Sequence, residues 1–100
     1  MIKIEIIKNK TIKVTGHAEY AEYGSDIVCA SVSTAVYMSI NQIEVFDKTQ
    51  CINYLVNEGN ACIEVVREDE IVKKVISNLI FTLRDLELQY PKYIKINEKL

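Results

Sequence analysis

The amino-acid sequence predicts an α+β fold: a two-layer sandwich of order ββαββα, with two helices on one face of a four-stranded, mostly antiparallel sheet. Three observations carry this expectation. The first sixteen residues alternate apolar and polar side chains, the spacing turns helical from Asp26, and a second strand-strand-helix pattern fills the rest of the chain.

Ile2, Ile4 and Ile6 fall on one face of the first run, Ile2 to Lys8, with Lys3 and Glu5 opposite, which is the period of a half-buried strand. Asn9-Lys10 supplies a turn, and Thr11 to Gly16 alternates again around Ile12 and Val14, completing a hairpin. Gly16 to Ser25 loses the alternation and reads as a loop containing His17, Glu19 and Glu22. From Asp26 the apolar stripe Val28, Val32, Val36, Ile40 and Ile43 predicts a helix ending near Phe46, with Ser25 or Asp26 as its N-cap. Ile27, Ala30, Ala35 and Met38 widen the stripe, so the helix needs cover from a second helix or a partner subunit.

After the polar linker Asp47 to Gln50, Ile52, Tyr54 and Val56 alternate with Asn53 and Asn57. The turn Asn57-Glu58-Gly59-Asn60 then leads into Ala61 to Arg67, a second hairpin. Val72, Val75, Ile76, Leu79, Ile80, Leu83 and Leu86 mark a last helix from about Asp69 to Tyr90, which Pro91 stops.

Composition narrows the functional classes. One hundred residues are expected to form a single domain, 1–100, and 49% hydrophobic with 26% charged residues is the make-up of a folded globule. Twelve basic against 14 acidic side chains give a net charge of −2, with no Lys/Arg run that could track a phosphate backbone, so no direct nucleic-acid partner is expected. No apolar run is long enough to span a bilayer, so no membrane role is expected and the chain reads as cytoplasmic. The three cysteines, Cys29, Cys51 and Cys62, match neither CxxC spacing nor a disulfide framework; no metal site and no cofactor are expected.

Cys51 and Cys62 lie at or in strands and read as structural. Cys29 differs, because it falls in the expected first turn of a helix and His17, the one histidine, precedes it by a short loop. A helix N-terminus and an imidazolium both favour a thiolate, so this segment can supply nucleophile, base and backbone donors for an oxyanion. The residues alone leave a second reading open, a core cysteine beside a solvated histidine. Asp26 reads first as an N-cap, a role compatible with orienting the imidazole, and Ser33 lies one helical turn beyond Cys29 on the same face. Gly16 and Gly24 would ease movement of the intervening loop.

The string GHAEYAEYGSDIVCASVS, residues 16 to 33, resembles the signature of the ribosomal-processing cysteine proteases of the Prp family: a GHA tripeptide, a variable loop, then DIVCA and a nearby serine. The matching positions are Gly16, His17, Ala18, Asp26, Ile27, Val28, Cys29, Ala30 and Ser33, while Ser31 stands where the family more often has a small apolar residue. The ββαββα order is similar to the family's across essentially the whole chain.

The resemblance implies an endopeptidase that removes a short N-terminal extension from the twenty-seventh protein of the large ribosomal subunit, with Cys29 as nucleophile and His17 as base. It also implies a homodimer and, because the extension ends in aromatic residues, an apolar groove near which Tyr20, Tyr23 and Tyr37 are placed. Two other classes stand beside it: a non-enzymatic ribosome-associated module that grips a protein tail, and a thiol hydrolase of small esters or amides.

Overall fold

The computed structural model describes residues 1–16, 23–57 and 59–100, with only the backbone described at 23–26. Five strands and two long helices follow one another as β1 (Ile2–Ile7), β2 (Thr11–Thr15), α1 (Tyr23–Val45), β3 (Ile52–Asn57), β4 (Asn60–Val65), α2 (Glu70–Gln89) and β5 (Ile94–Lys99), with a 3-10 turn, Thr49–Cys51, leading into β3.

The hairpins form where the alternation places them. β1 and β2 pair antiparallel with Ile4 opposite Val14 and Ile6 opposite Ile12, so one face collects branched apolar side chains. Lys8 and Asn9 both take positive φ, 53° and 55°, and the Lys10 N–H donates to the Ile7 carbonyl at 3.0 Å. Two successive positive φ values match the right-handed twist of the flanking strands. β3 and β4 join through a tight turn at Gly59, whose φ of 74° favours glycine.

Two expectations need correction. The sheet has five strands in the order β3-β4-β2-β1-β5 and is mixed: β5 pairs parallel with β1, Ile4 opposite Ile96. The segment after Pro91 offers only Ile94 and Ile96 as apolar inward positions, too short a run to stand out, and its strand character comes from pairing with β1. The order is therefore ββαββαβ, the sixth segment being a crossover helix between two parallel strands. Secondly, α1 begins at Tyr23, three residues before Asp26, so Ser25 and Asp26 lie inside the helix and neither caps it. Gly24 made this stretch read as loop, yet it is the second residue of α1, and a glycine costs no more than about 1 kcal/mol even inside a helix, which a 23-residue packed helix absorbs.

Both helices lie on one face of the sheet. Ile2, Ile4, Ile6, Ile12, Val14 and Ile63 from the strands meet Val28, Val32, Ile40 and Ile43 of α1 and Val72, Ile76, Leu79 and Leu83 of α2 in a single core. The opposite face carries Lys3, Lys13, Glu64, Lys95 and Asn97 and stays exposed. α2 covers one flank of α1, whereas Ile27, Met38 and Val45 remain 51%, 59% and 78% exposed. Among the described residues no helix is long and apolar enough to cross a membrane.

α2 starts at Asp69, whose carboxylate accepts from the Val72 N–H at 3.1 Å and pairs with the Lys48 ammonium at 3.0 Å. The Val72 amide first, and then the Lys48 bond, hold the Asp69 carboxyl below the usual carboxylate range. A carboxyl depressed on folding contributes stability above its unfolded pKa and loses it as pH falls through its folded pKa. Asp69→Ala is therefore expected to lower the thermal midpoint at neutral pH, with the difference from the parent shrinking on acidification. Melting curves across that range check it, and a difference independent of pH refutes it.

Candidate active site

The helix face that carries Cys29 turns toward the β3–β4 end of the sheet. Val28, Val32 and Val36 anchor α1 in the core, and Cys29, Ser33 and Tyr37, four residues apart in turn, follow one position later along a neighbouring stripe. These three side chains line a cleft of about 560 Å³ with Gly16, and its opposite wall is built from Val56, Asn57, Gly59, Asn60 and Ala61. Its volume is that of a binding site for a small ligand or a few peptide residues. Every described residue lining it is uncharged.

Cys29 is half-buried, packed against the core on one side and open to the cleft on the other, and its thiol is free. Cys51 is buried and Cys62 half-buried on β4, both free and neither lining the cleft. Cys29 is the seventh residue of α1, not part of its first turn. The helix dipole acts within about one turn of the terminus, so the end of α1 contributes less to a thiolate here than the sequence reading assigned it.

Gly16 closes the cleft at the end of β2. Its φ of 99° lies where side chains are rarely accommodated, and a Cβ added there would sit 2.5 Å from the Met1 carbonyl oxygen. Its N–H donates to the Gly59 carbonyl at 3.1 Å, which ties β2 to the β3–β4 turn across the cleft. The glycine of the GHA tripeptide thus has a backbone reason for its identity. Gly16→Ala is expected to destabilise the fold by about 1–3 kcal/mol and to lower the thermal midpoint by several degrees, read by calorimetry; an unchanged midpoint would mean the strand end relaxes freely.

Of the residues picked out from sequence, the cleft brings together Gly16, Cys29, Ser33 and Tyr37. His17 and Tyr20, and the loop between the two glycines up to residue 22, lie outside the described residues, as do the side chains of Tyr23 and Asp26. The wall from β3 and β4 was not anticipated. It reaches the site through sheet order, with Thr15 of β2 opposite Asn60 of β4, and no local pattern in residues 56 to 61 announces that neighbour.

Relatives match the chain over nearly its full length. The "Ribosomal processing cysteine protease Prp" of Staphylococcus aureus is 33% identical over 106 residues, covering 99% of this chain and 100% of that protein. The protein of the same description from Mycoplasma genitalium is 33% identical over 100 residues, covering 99% and 97%. A crystal structure of the S. aureus protease in complex with a covalently linked product peptide superposes with a TM-score of 0.81 at 30% identity, covering 99% of this chain and 100% of that one. The sequence profile described as "Cysteine protease Prp" matches residues 1–95. With a free thiol opening into a cleft whose described lining is uncharged, and with these matches along residues 1–95, the chain belongs to the Prp family of cysteine proteases.

Proposed function

We propose that this cysteine protease removes the short N-terminal extension of the twenty-seventh protein of the large ribosomal subunit, using Cys29 as nucleophile and His17 as general base. The observation that carries the reading is the position of Cys29, the one of the three thiols that lines the cleft. The S. aureus relative is described as a ribosomal processing protease and has been crystallised with a covalently linked product peptide, which supports the same class of substrate for this chain.

In the proposed reaction the Cys29 thiolate attacks the scissile carbonyl carbon. The His17 imidazolium then gives its proton to the departing amine, leaving a thioester on Cys29. A water deprotonated by His17 attacks the thioester carbonyl, the C–S bond breaks, and the acid half is released. Asp26 orients the imidazole, while Ser33, a turn beyond Cys29, borders the acyl group. Tyr20, Tyr23 and Tyr37 flank the apolar residues of the extension. No metal or cofactor enters these steps.

The exposed apolar side chains Ile27, Met38 and Val45 of α1 supply a surface for a homodimer, in keeping with the cover this helix needs. The site of action is the cytoplasm, where ribosomal subunits are assembled. A non-enzymatic binding module is disfavoured by membership of a protease family. Incubating the purified protein with the full-length ribosomal precursor, followed by mass spectrometry, tests the proposal: one cut that removes the extension is expected, and an intact precursor overturns it.

A further inference from the structure

We infer that the open edge of β3 receives the substrate as an added strand, which pairs with the backbone of Tyr54 and Val56 and so leads the scissile bond to Cys29. The inference deepens the protease reading above and rests on it.

β3 is the outermost strand of the sheet on the cleft side. The Val66 N–H donates to the Cys51 carbonyl at 2.8 Å, and this fixes the parity of the antiparallel ladder. Asn53, Leu55 and Asn57 direct their backbone groups to β4; Tyr54 and Val56 direct theirs away, with no backbone partner among the described residues. Those two residues present two N–H donors and two carbonyl acceptors in the spacing an extended peptide requires.

The two edges of the sheet differ in protection. β5 carries Lys95, Glu98 and Lys99, Arg84 pairs with Glu98, and the Glu87 carboxylate accepts from the Ile96 N–H at 2.6 Å. Charges and a covering side chain are how natural sheets close an edge. β3 reads INYLVN, with no charge and no proline, and its Tyr54 and Leu55 are 52% and 53% exposed. An uncharged edge that no described residue covers is a template for another strand, and strand addition is a common way of holding an extended peptide.

The edge is continuous with the site, because Val56 and Asn57 line the same cleft as Cys29. A peptide running beside β3 therefore enters the cleft at its Val56 end. At about 3.3 Å per residue the edge from Ile52 to Val56 holds roughly four or five residues on one side of the scissile bond. Alternate side chains of that segment fall on the helix side of the sheet, with Val56 and Tyr54. Specificity for uncharged residues at every second position follows.

A series of synthetic peptides spanning the precursor's cleavage site, each methylated at one backbone nitrogen, tests the pairing with the unmodified enzyme. Two methylations placed two residues apart on one side of the scissile bond should each lower kcat/KM by about 10-fold, and the one between them by less than threefold. Tyr54→Pro, which removes an outward N–H without touching the ladder to β4, should lower kcat/KM about 3–10-fold with a retained melting profile. A flat methylation profile on a well-cleaved parent peptide overturns the edge pairing alone. Failure to cut the parent peptide overturns the protease reading and this inference with it. Loss of a dimer in Tyr54→Pro, seen by sedimentation, assigns the edge to a second copy of the chain and also overturns it.

Discussion

Cys29→Ala is expected to abolish cleavage of the ribosomal precursor while leaving the fold intact. The side chain stands at the border of core and cleft, so its removal costs packing on one side only, about 1 kcal/mol, as for one methylene-sized group. The chemical loss is far larger. Removing the nucleophile of a protease lowers turnover by roughly six orders of magnitude, because the covalent route disappears and only binding and charge stabilisation remain. The inactive variant should still bind the uncleaved extension, since the described walls of the cleft are supplied mainly by other residues. Alkylation at neutral pH gives the matching readout in the parent: modification of Cys29 should outpace that of Cys62 and of buried Cys51, and activity should fall in step with it. Parental cleavage rates in Cys29→Ala, or equal slow labelling of all three thiols, would remove Cys29 from the mechanism.

What the sequence made legible follows the range of each signal. The hairpins and both helices rest on side-chain periods within a few residues, and Ile2, Ile4, Ile6, Ile12 and Ile63 are buried as alternation requires. β5 was missed because its two inward isoleucines gain meaning only beside β1. The start of α1 was placed late because Gly24 and Ser25 favour loops when judged alone, and that shift moved Cys29 out of the first turn. The site divides in the same way. Cys29 and Ser33 share a helix face, a period visible in the chain, and both line the cleft together with Tyr37, one turn further on. Val56, Asn57, Asn60 and Ala61 come to the same cleft by strand order, a non-local outcome of closing β4 against β2.

The position of Cys29 in the second turn of α1 raises the demand on His17. With the helix terminus farther away, an imidazolium is the remaining group in the signature that can favour the thiolate, and it is also the acid that protonates the leaving amine. His17→Ala is therefore expected to lower kcat by about 10²–10⁴-fold, the range that loss of a general acid–base group causes. Two further readouts separate that role from a structural one. KM should change little if the imidazole acts on the reacting bond and not on binding, and the alkylation rate of Cys29 should fall toward that of an ordinary thiol. His17→Asn, which keeps polarity and much of the volume, should be as defective as His17→Ala. A loss of less than threefold in both variants, with the labelling rate of Cys29 unchanged, would show that another group carries the proton.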